Sequence, residues 1–509
     1  MQNEIKNNVV HGTIVIFTVT IIAKIVAFLT SSILAYYLGT SEQSDAYYTV
    51  LSVDQVFYPM LGVGIWNVFL PLYKEKLVTE SEEKIDSFAN KSLTLFSIIS
   101  LLVILVLVFF SDGIVQLLAP GFSSSTKALS SGLIRISAPM YFFTISAAIY
   151  AAMLQCHNNF LGSQLREVVV NIPIIIAAIF FYQYYGIESL AIALVIGGAF
   201  RLLVAIPFIN WGYKYKPDFA FNDPDMKTLL KRFPSAMFSQ GVNQLNMLVD
   251  RVMASSLTTG AVSALNYGNK LLSVLNGLLS NSITTALYPQ VVELITLKQR
   301  DKLGKLLSRI INIFLFFMIP ITVFCMLFST EIVNVVYQRG AFNETSSKMT
   351  ASVFMFYCIG LFFLACNTMF QNTFYAKGDT RTPLLFSTIN LLSNIVLNAT
   401  FVRLYGISGL ALATSLSAII AFAFLLIKIR SFIKLDIIDN VRTAILSGFI
   451  SVLAAFGSRL TGTLINLNKY LSLIIFALVF MIIYLAISKI FKVSELDEMI
   501  QLLKTKLKR

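Results

Sequence analysis

Five ionisable side chains lie inside long apolar stretches of the sequence, where a charge is costly. They are Lys24, Asp54, Asp250, Arg251 and Lys270. A charged side chain at the centre of a lipid bilayer costs about 3 kcal/mol on insertion scales, so each of these residues is a candidate for function. Lysines and arginines that face a common cavity would bind an anion such as a phosphate or diphosphate group. The pattern therefore predicts an anion-binding cavity within a membrane protein.

Neutral polar residues accompany these charges in the same stretches. The predicted cavity residues are Lys24, Ser31, Asp54, Gln55, Arg251 and Lys270. Gln240, Asn243 and Gln244 share one helical face and lead towards Asp250 and Arg251. Two alternatives to a cavity remain open. Single polar residues in membrane helices often serve as hydrogen-bonding groups between helices, and the adjacent Asp250 and Arg251 can form an internal ion pair.

The apolar stretches decide the fold class. Hydrophobic residues make up 57% of the 509 positions and charged residues only 13%, so a soluble fold would have too few polar residues to cover its surface. Fourteen stretches reach the length of about 20 residues that crosses a bilayer as a helix. They are 12–38, 47–72, 93–110, 133–154, 165–184, 187–209, 234–257, 263–288, 308–329, 350–372, 383–404, 407–428, 441–460 and 469–489. We predict an all-α polytopic membrane protein with 14 transmembrane helices, without a soluble domain or a cleavable signal peptide.

The net charge of +13 is distributed unevenly along the chain. With the N-terminus inside, Lys and Arg residues between the predicted spans favour the cytoplasmic side by roughly four to one, in agreement with the positive-inside rule. Both termini are then cytoplasmic, and the excess charge orients the chain and attracts anionic lipid, so no nucleic-acid partner is expected. Arg201 lies towards the cytoplasmic end of its span, where we expect it to snorkel to the interface.

An internal repeat organises the spans. The octet GIESLAIA at 186–193 returns as GISGLALA at 406–413, an offset of about 220 residues that other positions share. The repeated unit holds an even number of helices, so both copies enter the membrane from the same side, as parallel repeats with the transport pathway between them. The predicted parts are an N-terminal six-helix half at 1–212, a cytoplasmic linker at 213–232, a C-terminal six-helix half at 233–430, and two extra helices with a basic cytoplasmic tail at 431–509.

Residues suited to catalysis are sparse. The four cysteines and two histidines show neither metal-ligand spacing nor a disulfide framework. A membrane transferase would need a carboxylate pair or a histidine motif at the membrane surface, and the sequence displays neither, so we predict that the chain is not an enzyme. A multidrug antiporter coupled to a cation gradient remains an alternative, as does a channel. Lysines within the spans count against the antiporter, which favours acidic or apolar cavity residues.

Motifs in both halves resemble one known family. They include SDAYY at 44–48, LAPGF at 118–122, LIRISAP at 133–139, LVDRVMASSL at 248–257, SALNYGNKL at 263–271, YQRGAF at 337–342, FYAKGDTRTP at 374–383 and GLALATS at 409–415. Over residues 10–430 the chain is similar to the MurJ/MviN family of the MOP exporter superfamily, whose members have fourteen helices. The resemblance implies a flippase of the bacterial plasma membrane that moves lipid II, an undecaprenyl-pyrophosphate-linked saccharide, to the outer leaflet for peptidoglycan synthesis. Export of another lipid-linked oligosaccharide, for capsule, O-antigen or exopolysaccharide, is the alternative.

The resemblance also implies roles for single residues. Lys24 and Lys270 match cavity cations of the family in helices 1 and 8. Thr30–Ser31 and Tyr58–Pro59 stand where the family carries further charges. A cation site between helices 7, 11 and 12 is implied at Asp250, Asn390, Asn394 and Thr414. One carboxylate among neutral oxygens suits Na⁺ as the only metal ion, so we expect coupling to Na⁺ or H⁺. We expect no cofactor, and we expect membrane lipids and cell-wall synthesis proteins as further partners.

Overall fold

The computed structural model describes residues 2–242, 244–464, 468–491 and 493–497, with the side chains of 2–14, 238–242, 281 and 462–464 excepted. Every regular element in these ranges is helical. The chain divides into two compact units, Met1–Ser263 and Ala264–Arg509. The predicted basic tail lies outside the described residues from position 498 onwards, as does Asn243.

The first unit is built from helices that follow one another closely in the chain. They are α1 (Gln2–Leu38), α2 (Glu42–Phe57), a π-helix (Tyr58–Val63), α3 (Gly64–Thr79), α4 (Glu82–Phe109), α5 (Ser111–Leu118), α6 (Ser124–Ser137), α7 (Met140–Cys156), α8 (Phe160–Val169), α9 (Asn171–Ile176), a π-helix (Ala177–Phe181), α10 (Tyr182–Tyr185), α11 (Glu188–Leu203), a 3₁₀ turn (Ile206–Phe208), α12 (Pro224–Val242) and α13 (Leu245–Ser255). A core of aromatic and aliphatic side chains joins them, with Tyr47, Phe69, Tyr73 and Phe96 fully buried.

The second unit is built in the same manner. Its helices are α14 (Ala261–Thr296), which begins at the end of the first unit, α15 (Arg300–Leu327), α16 (Ser329–Val336), α17 (Glu344–Cys358), α18 (Leu361–Ala376), α19 (Arg381–Tyr405), α20 (Ile407–Arg430), α21 (Ile437–Leu464) and α22 (Lys469–Ile490). The last two helices pack on α15, where Tyr484 donates a hydrogen bond of 2.8 Å to the carbonyl oxygen of Phe316.

Most of these helices can cross a bilayer. Among the described residues, 10 helical segments are long and apolar enough, and two bent helix pairs bring the number to 12. Within the described residues, the other two predicted spans, 234–257 and 263–288, fall on α12 with α13 and on α14. An all-α multi-span membrane protein is therefore confirmed, and the helices agree with the fourteen predicted spans.

The internal repeat is visible in the order of the elements. In the first unit α4 and the short α5 precede α6 and α7, which meet at a bend of 45°. In the second unit α15 and the short α16 precede α17 and α18, which meet at 46°. The predicted tight turns follow in both units, at Gly186 with φ +62° and at Gly406 with φ +55°. Glycine fits both turns because it adopts positive φ without strain.

Helix α12 corrects the predicted start of helix 7. The sequence placed that start at Pro234, but the helix begins at Pro224 and Pro234 lies inside it. Proline suits the first position of a helix, and the preceding Asp223 accepts a 2.8 Å hydrogen bond from the Met226 amide through Oδ1. Residues 224–232 of the predicted linker at 213–232 are therefore helical. The 2.7 Å ion pair of Asp223 with Lys91 anchors the start of this helix to α4.

Candidate functional site

Arg251 and Gln55 are two predicted cavity residues that the structure brings into contact. Arg251 Nη2 donates a 2.7 Å hydrogen bond to Gln55 Oε1, and Met247 Sδ lies 3.6 Å from the same nitrogen. Only 5% of Arg251 is exposed, and the neighbouring Asp250 is equally buried. The arginine is thus turned towards α2 within the first unit, which places a cation beside the polar stretch of that helix.

The remaining first-unit cavity candidates differ in burial. Ser31 is buried beside Thr30, whose hydroxyl donates to the carbonyl oxygen of Val26 at 2.8 Å. Asp54 is half-buried, and its Oδ1 has no hydrogen-bond partner among the described residues. Lys24 is exposed on α1. The candidates therefore offer an exposed cation, a carboxylate oxygen with unused capacity and a buried hydroxyl.

The second unit holds the other predicted residues. Lys270 is half-buried in α14, and its place in a common cavity with Lys24 of the first unit stays a prediction. Asn394 Nδ2 donates to Thr414 Oγ1 at 3.3 Å, and Asn398 Nδ2 donates to Asn394 Oδ1 at 3.0 Å. The structure thus joins two of the predicted cation ligands and adds Asn398, which the sequence analysis missed although it lies one turn beyond Asn394 on α19.

Asn390 and Asp250 complete the predicted cation set. Asn390 is half-buried on α19, and its Oδ1 has no hydrogen-bond partner among the described residues. Asp250 is buried in α13 of the first unit. No group of three or more His, Cys, Asp or Glu side chains in the described part of the chain could hold a metal ion. Neutral oxygens on α19 and α20 are therefore the donors that this part of the second unit offers to a cation.

A cluster of charges that the sequence analysis missed lies within the first unit. We call it the arginine cluster, and it consists of Tyr58, Trp66, Arg166, Glu167 and Arg201. Arg166 Nε lies 3.4 Å from Glu167 Oε1, and Arg201 Nη2 lies 3.6 Å from Glu167 Oε2. Tyr58 donates a 2.9 Å hydrogen bond to the same glutamate. Arg166 stacks over the Trp66 ring at 5.1 Å, and Arg201 stacks over the Tyr58 ring at 4.8 Å.

The arginine cluster corrects the expectation for Arg201. Only 12% of its side chain is exposed, so it does not snorkel to the interface. A carboxylate on the neighbouring helix and the face of an aromatic ring attract it inwards more strongly. The adjacent residues Arg166 and Glu167, at the start of an apolar stretch, were the signal in the sequence from which the cluster could have been found. Their position beside a predicted helix end instead favoured a cytoplasmic location.

Two sequence motifs of the first half meet at the connection between α13 and α14. Asp45 of SDAYY accepts a 2.7 Å hydrogen bond from the Gly260 amide and a 2.8 Å one from the Ser263 amide. Gly121 of LAPGF donates its amide to Ser255 Oγ at 3.2 Å. A buried carboxylate at a helix N-terminus satisfies backbone donors and complements the helix dipole. These motifs therefore position the start of the helix that carries Lys270.

Comparison with known proteins decides the family. A family model described as lipid II flippase MurJ matches residues 34–484. The chain belongs to the MurJ family. It is 28% identical to the lipid II flippase MurJ of Thermosipho africanus, covering 88% of this chain and 92% of that protein. It is 27% identical to the probable lipid II flippase MurJ of Borreliella burgdorferi, covering 85% and 86% respectively.

Solved structures agree with this assignment. A solved structure of lipid II flippase MurJ in an inward closed conformation matches this MurJ family member with a TM-score of 0.82 and 28% identity. The match covers 94% of this chain and 98% of the solved one. An inward-facing multidrug resistance MATE transporter of the MOP superfamily matches with a TM-score of 0.64 at 15% identity, which shows the shared fold alone. The chain is accordingly a multi-pass membrane transporter rather than an enzyme.

Proposed function

We propose that this MurJ family chain carries lipid II from the inner to the outer leaflet of the bacterial plasma membrane by alternating access. The observation that supports it most is the family match, which spans residues 34–484 and thus nearly every helix. Relatives that bear the name lipid II flippase align over most of their own length as well. The substrate would be an undecaprenyl-pyrophosphate-linked saccharide, and both termini would be cytoplasmic.

Cationic side chains give the proposal a chemical basis. Lys24, Arg251 and Lys270 would attract the diphosphate, while Ser31 and Gln55 would supply neutral hydrogen-bonding groups. The buried contact between Arg251 and Gln55 supports this assignment, because it places a guanidinium on α13 beside the polar side chains of α2. A guanidinium within a protein interior attracts phosphate more strongly than one in water, because the low dielectric screens the Coulomb attraction less than water does.

Transport would draw its energy from a cation gradient. Asp250 with Asn390, Asn394 and Thr414 would bind Na⁺, or Asp250 alone would take up H⁺. Two observations support this set: the contact between Asn394 and Thr414, and the Asn390 oxygen, which lacks a hydrogen-bond partner in the part of the chain that the structure describes. Cell-wall synthesis proteins that consume lipid II at the outer leaflet would be further partners, together with the membrane lipids themselves.

Complementation tests the function directly. In cells depleted of their own lipid II flippase, expression of this chain should restore growth and the labelling of lipid II at the outer face of the membrane. The matched control is Arg251→Gln, which keeps a polar side chain but removes the charge, and it should reach the membrane without restoring labelling. Absence of labelling with the wild-type chain present in the membrane would refute the lipid II assignment and favour another lipid-linked oligosaccharide.

A further inference from the structure

An apolar groove runs along the surface of the first unit between α9 and α11. It has a volume of about 490 Å³, and its lining residues in the described part of the chain all lie between 173 and 200. Ala177 and Ala193 form its floor, since they are only 5% and 2% exposed. The walls are large side chains that stay between 40% and 49% exposed: Ile176, Phe181, Ile192, Ile196 and Phe200. Within the described residues, therefore, no other helix fills the groove, and it opens to the surroundings of the chain.

The backbone of the segment that begins with α9 explains the groove. Pro173 lies within α9, and the π-helix at Ala177–Phe181 follows that helix directly. Proline bends a helix, and a π turn is wider than an α turn. At the other end the backbones touch, since a Cβ at Gly197 would lie 2.7 Å from the carbonyl oxygen of Val170. Contact at one end and a wide turn towards the other leave a space between the two segments.

The groove has about the length of one lipid leaflet. Glu188 and Phe200 line its two ends along α11, and the twelve residues between these positions correspond to about 18 Å of helix. The hydrocarbon core of a bilayer is about 30 Å thick, so one leaflet contributes about 15 Å. Tyr184 and Tyr185, beside the Glu188 end, are 81% and 67% exposed, and tyrosines concentrate at the membrane interface. The Glu188 end therefore lies at the level of the lipid headgroups and the Phe200 end near the middle of the bilayer.

Hydrocarbon is the material that fills a groove at this depth. An empty space would cost its walls their van der Waals contacts. A chain that lies in the groove touches protein on several sides, whereas a chain on a flat helical surface touches it on one. The groove therefore holds an acyl chain more firmly than the rest of the apolar surface does.

Glu188 selects the headgroup that accompanies this chain. Its side chain is exposed and makes no ion pair with any described residue, and its Oε2 would lie 3.1 Å from a Cβ at Gly186. Ser189, the neighbouring polar residue of the lining, already donates its hydroxyl to the Gly186 carbonyl oxygen at 2.7 Å. The free carboxylate attracts an ammonium group and repels an anionic headgroup or a diphosphate.

We propose that the groove between α9 and α11 binds one acyl chain of a phospholipid whose headgroup carries an ammonium group, with Glu188 as the partner of that ammonium. Phosphatidylethanolamine has this chemistry. The bound lipid is a structural component of the first unit and fills the space beside the π-helix. The site is independent of the proposed transport of lipid II, because the diphosphate of that substrate would meet a carboxylate of the same sign here.

Fluorescence quenching by brominated phospholipids measures the occupancy of the groove. The chain has two tryptophans, so Phe181→Trp combined with Trp66→Phe and Trp211→Phe places the only indole on the groove wall. The full chain is reconstituted in vesicles of equal phosphatidylethanolamine and phosphatidylglycerol, with bromine on the acyl chains of one lipid or the other. The affinities derived from quenching should favour phosphatidylethanolamine about two- to fivefold, the contribution of one exposed ion pair.

Three variants test the parts of the site. Glu188→Gln in the same background should remove the preference, so that both lipids quench equally. Glu42→Gln is its matched control, since Glu42 is another exposed carboxylate in the first turn of a helix of the first unit, and it should keep the preference. Phe449→Trp, which replaces Phe181→Trp, puts the indole on α21 at a position that is 54% exposed, and both lipids should quench it equally.

Thermal unfolding gives a second measurement, in the chain with its own tryptophans. A ligand that binds the folded state raises the unfolding temperature, so phosphatidylethanolamine added to the delipidated chain in detergent should raise it more than phosphatidylglycerol does. Ala177→Leu fills the floor of the groove and should respond equally to both lipids. Where Ala177→Leu does not fold, Ala193→Val takes its place.

Equal quenching of the indole in Phe181→Trp by both lipids would overturn the proposal and leave the groove covered by ordinary membrane lipid. A preference that persists in Glu188→Gln would also overturn it, because the carboxylate would not select the headgroup. Displacement of the brominated lipid by a short-chain polyprenyl diphosphate would assign the groove to a substrate chain instead. None of these results depends on whether the wild-type chain restores lipid II labelling in depleted cells, so the two proposals fail separately.

Discussion

Asp45→Asn tests how strongly the SDAYY motif holds the start of α14. The carboxylate is 3% exposed and accepts two backbone hydrogen bonds, from Gly260 and Ser263. Asparagine has one acceptor oxygen, so one amide would face an NH₂ group and lose its partner. A charge-assisted hydrogen bond contributes about 1.5 to 3 kcal/mol and a buried unsatisfied donor costs about 1 to 3 kcal/mol. Allowing for the desolvation that the carboxylate no longer suffers, we expect local destabilisation of about 2 to 3 kcal/mol.

Hydrogen exchange of the connection between α13 and α14 measures this loss. A local destabilisation of that size predicts exchange roughly 30- to 150-fold faster for the peptide that covers 256–266. Glu42→Gln is the matched control, because Glu42 is an exposed carboxylate in the first turn of the same helix, and it should leave the exchange unchanged. Exchange in Asp45→Asn within about twofold of wild type would refute the reasoning and show that the carboxylate does not hold this connection.

Two further predictions concern the first unit. A Cβ at Gly121 would lie 2.6 Å from the backbone nitrogen of Ser256, so Gly121→Ala should lower the unfolding temperature in detergent by several degrees. Gly132→Ala is the control, because nothing lies within 4 Å of a Cβ at that position, and its unfolding temperature should not change. Equal unfolding temperatures for the two variants would contradict the close approach at Gly121. Burial raises the pKa of Asp223, but hydrogen bonds from Lys91 and a backbone amide outweigh it and hold the pKa below its ordinary value. The attachment is therefore complete at neutral pH, and it weakens as the pH falls below about 4 towards the lowered pKa. The segment before α12 should accordingly exchange faster at about pH 3 than at about pH 7, after correction for intrinsic rates, and Asp223→Asn should abolish this pH dependence.

The spans and turns of the fold could be predicted because hydrophobic length and glycine conformation are local properties. Gly186 and Gly406 were identified from a repeated octet, and both adopt positive φ. The start of α12 could not be found in this way. Pro224 follows a polar segment, and only the side chain of Asp223 and its contact with α4 mark it as a helix start.

The candidate site was predictable only as a set of residue types. Burial of Arg251 and its contact with Gln55 depend on how α13 packs against α2, which the sequence pattern does not specify. The burial of Arg201 was likewise not predictable, because it also depends on contacts between helices. Its distance from a helix end predicted an interfacial side chain, but Glu167 and Tyr58 on neighbouring helices attract it into the bundle. The partner on a neighbouring helix therefore decides where a charged side chain lies more than its distance from a helix end does.

The π-helix at Tyr58–Val63 sets the rotational phase between the two parts of this long membrane-crossing segment. Each residue of an α-helix turns the chain by about 100°, and the wider π turn absorbs one residue more than an α turn. If the same six residues were wound as a regular α-helix, α3 would be rotated by about 100° relative to α2. Tyr58 and Trp66 could then no longer cover both arginines, so the alignment of the two rings depends on the wide turn between them as well as on their identity.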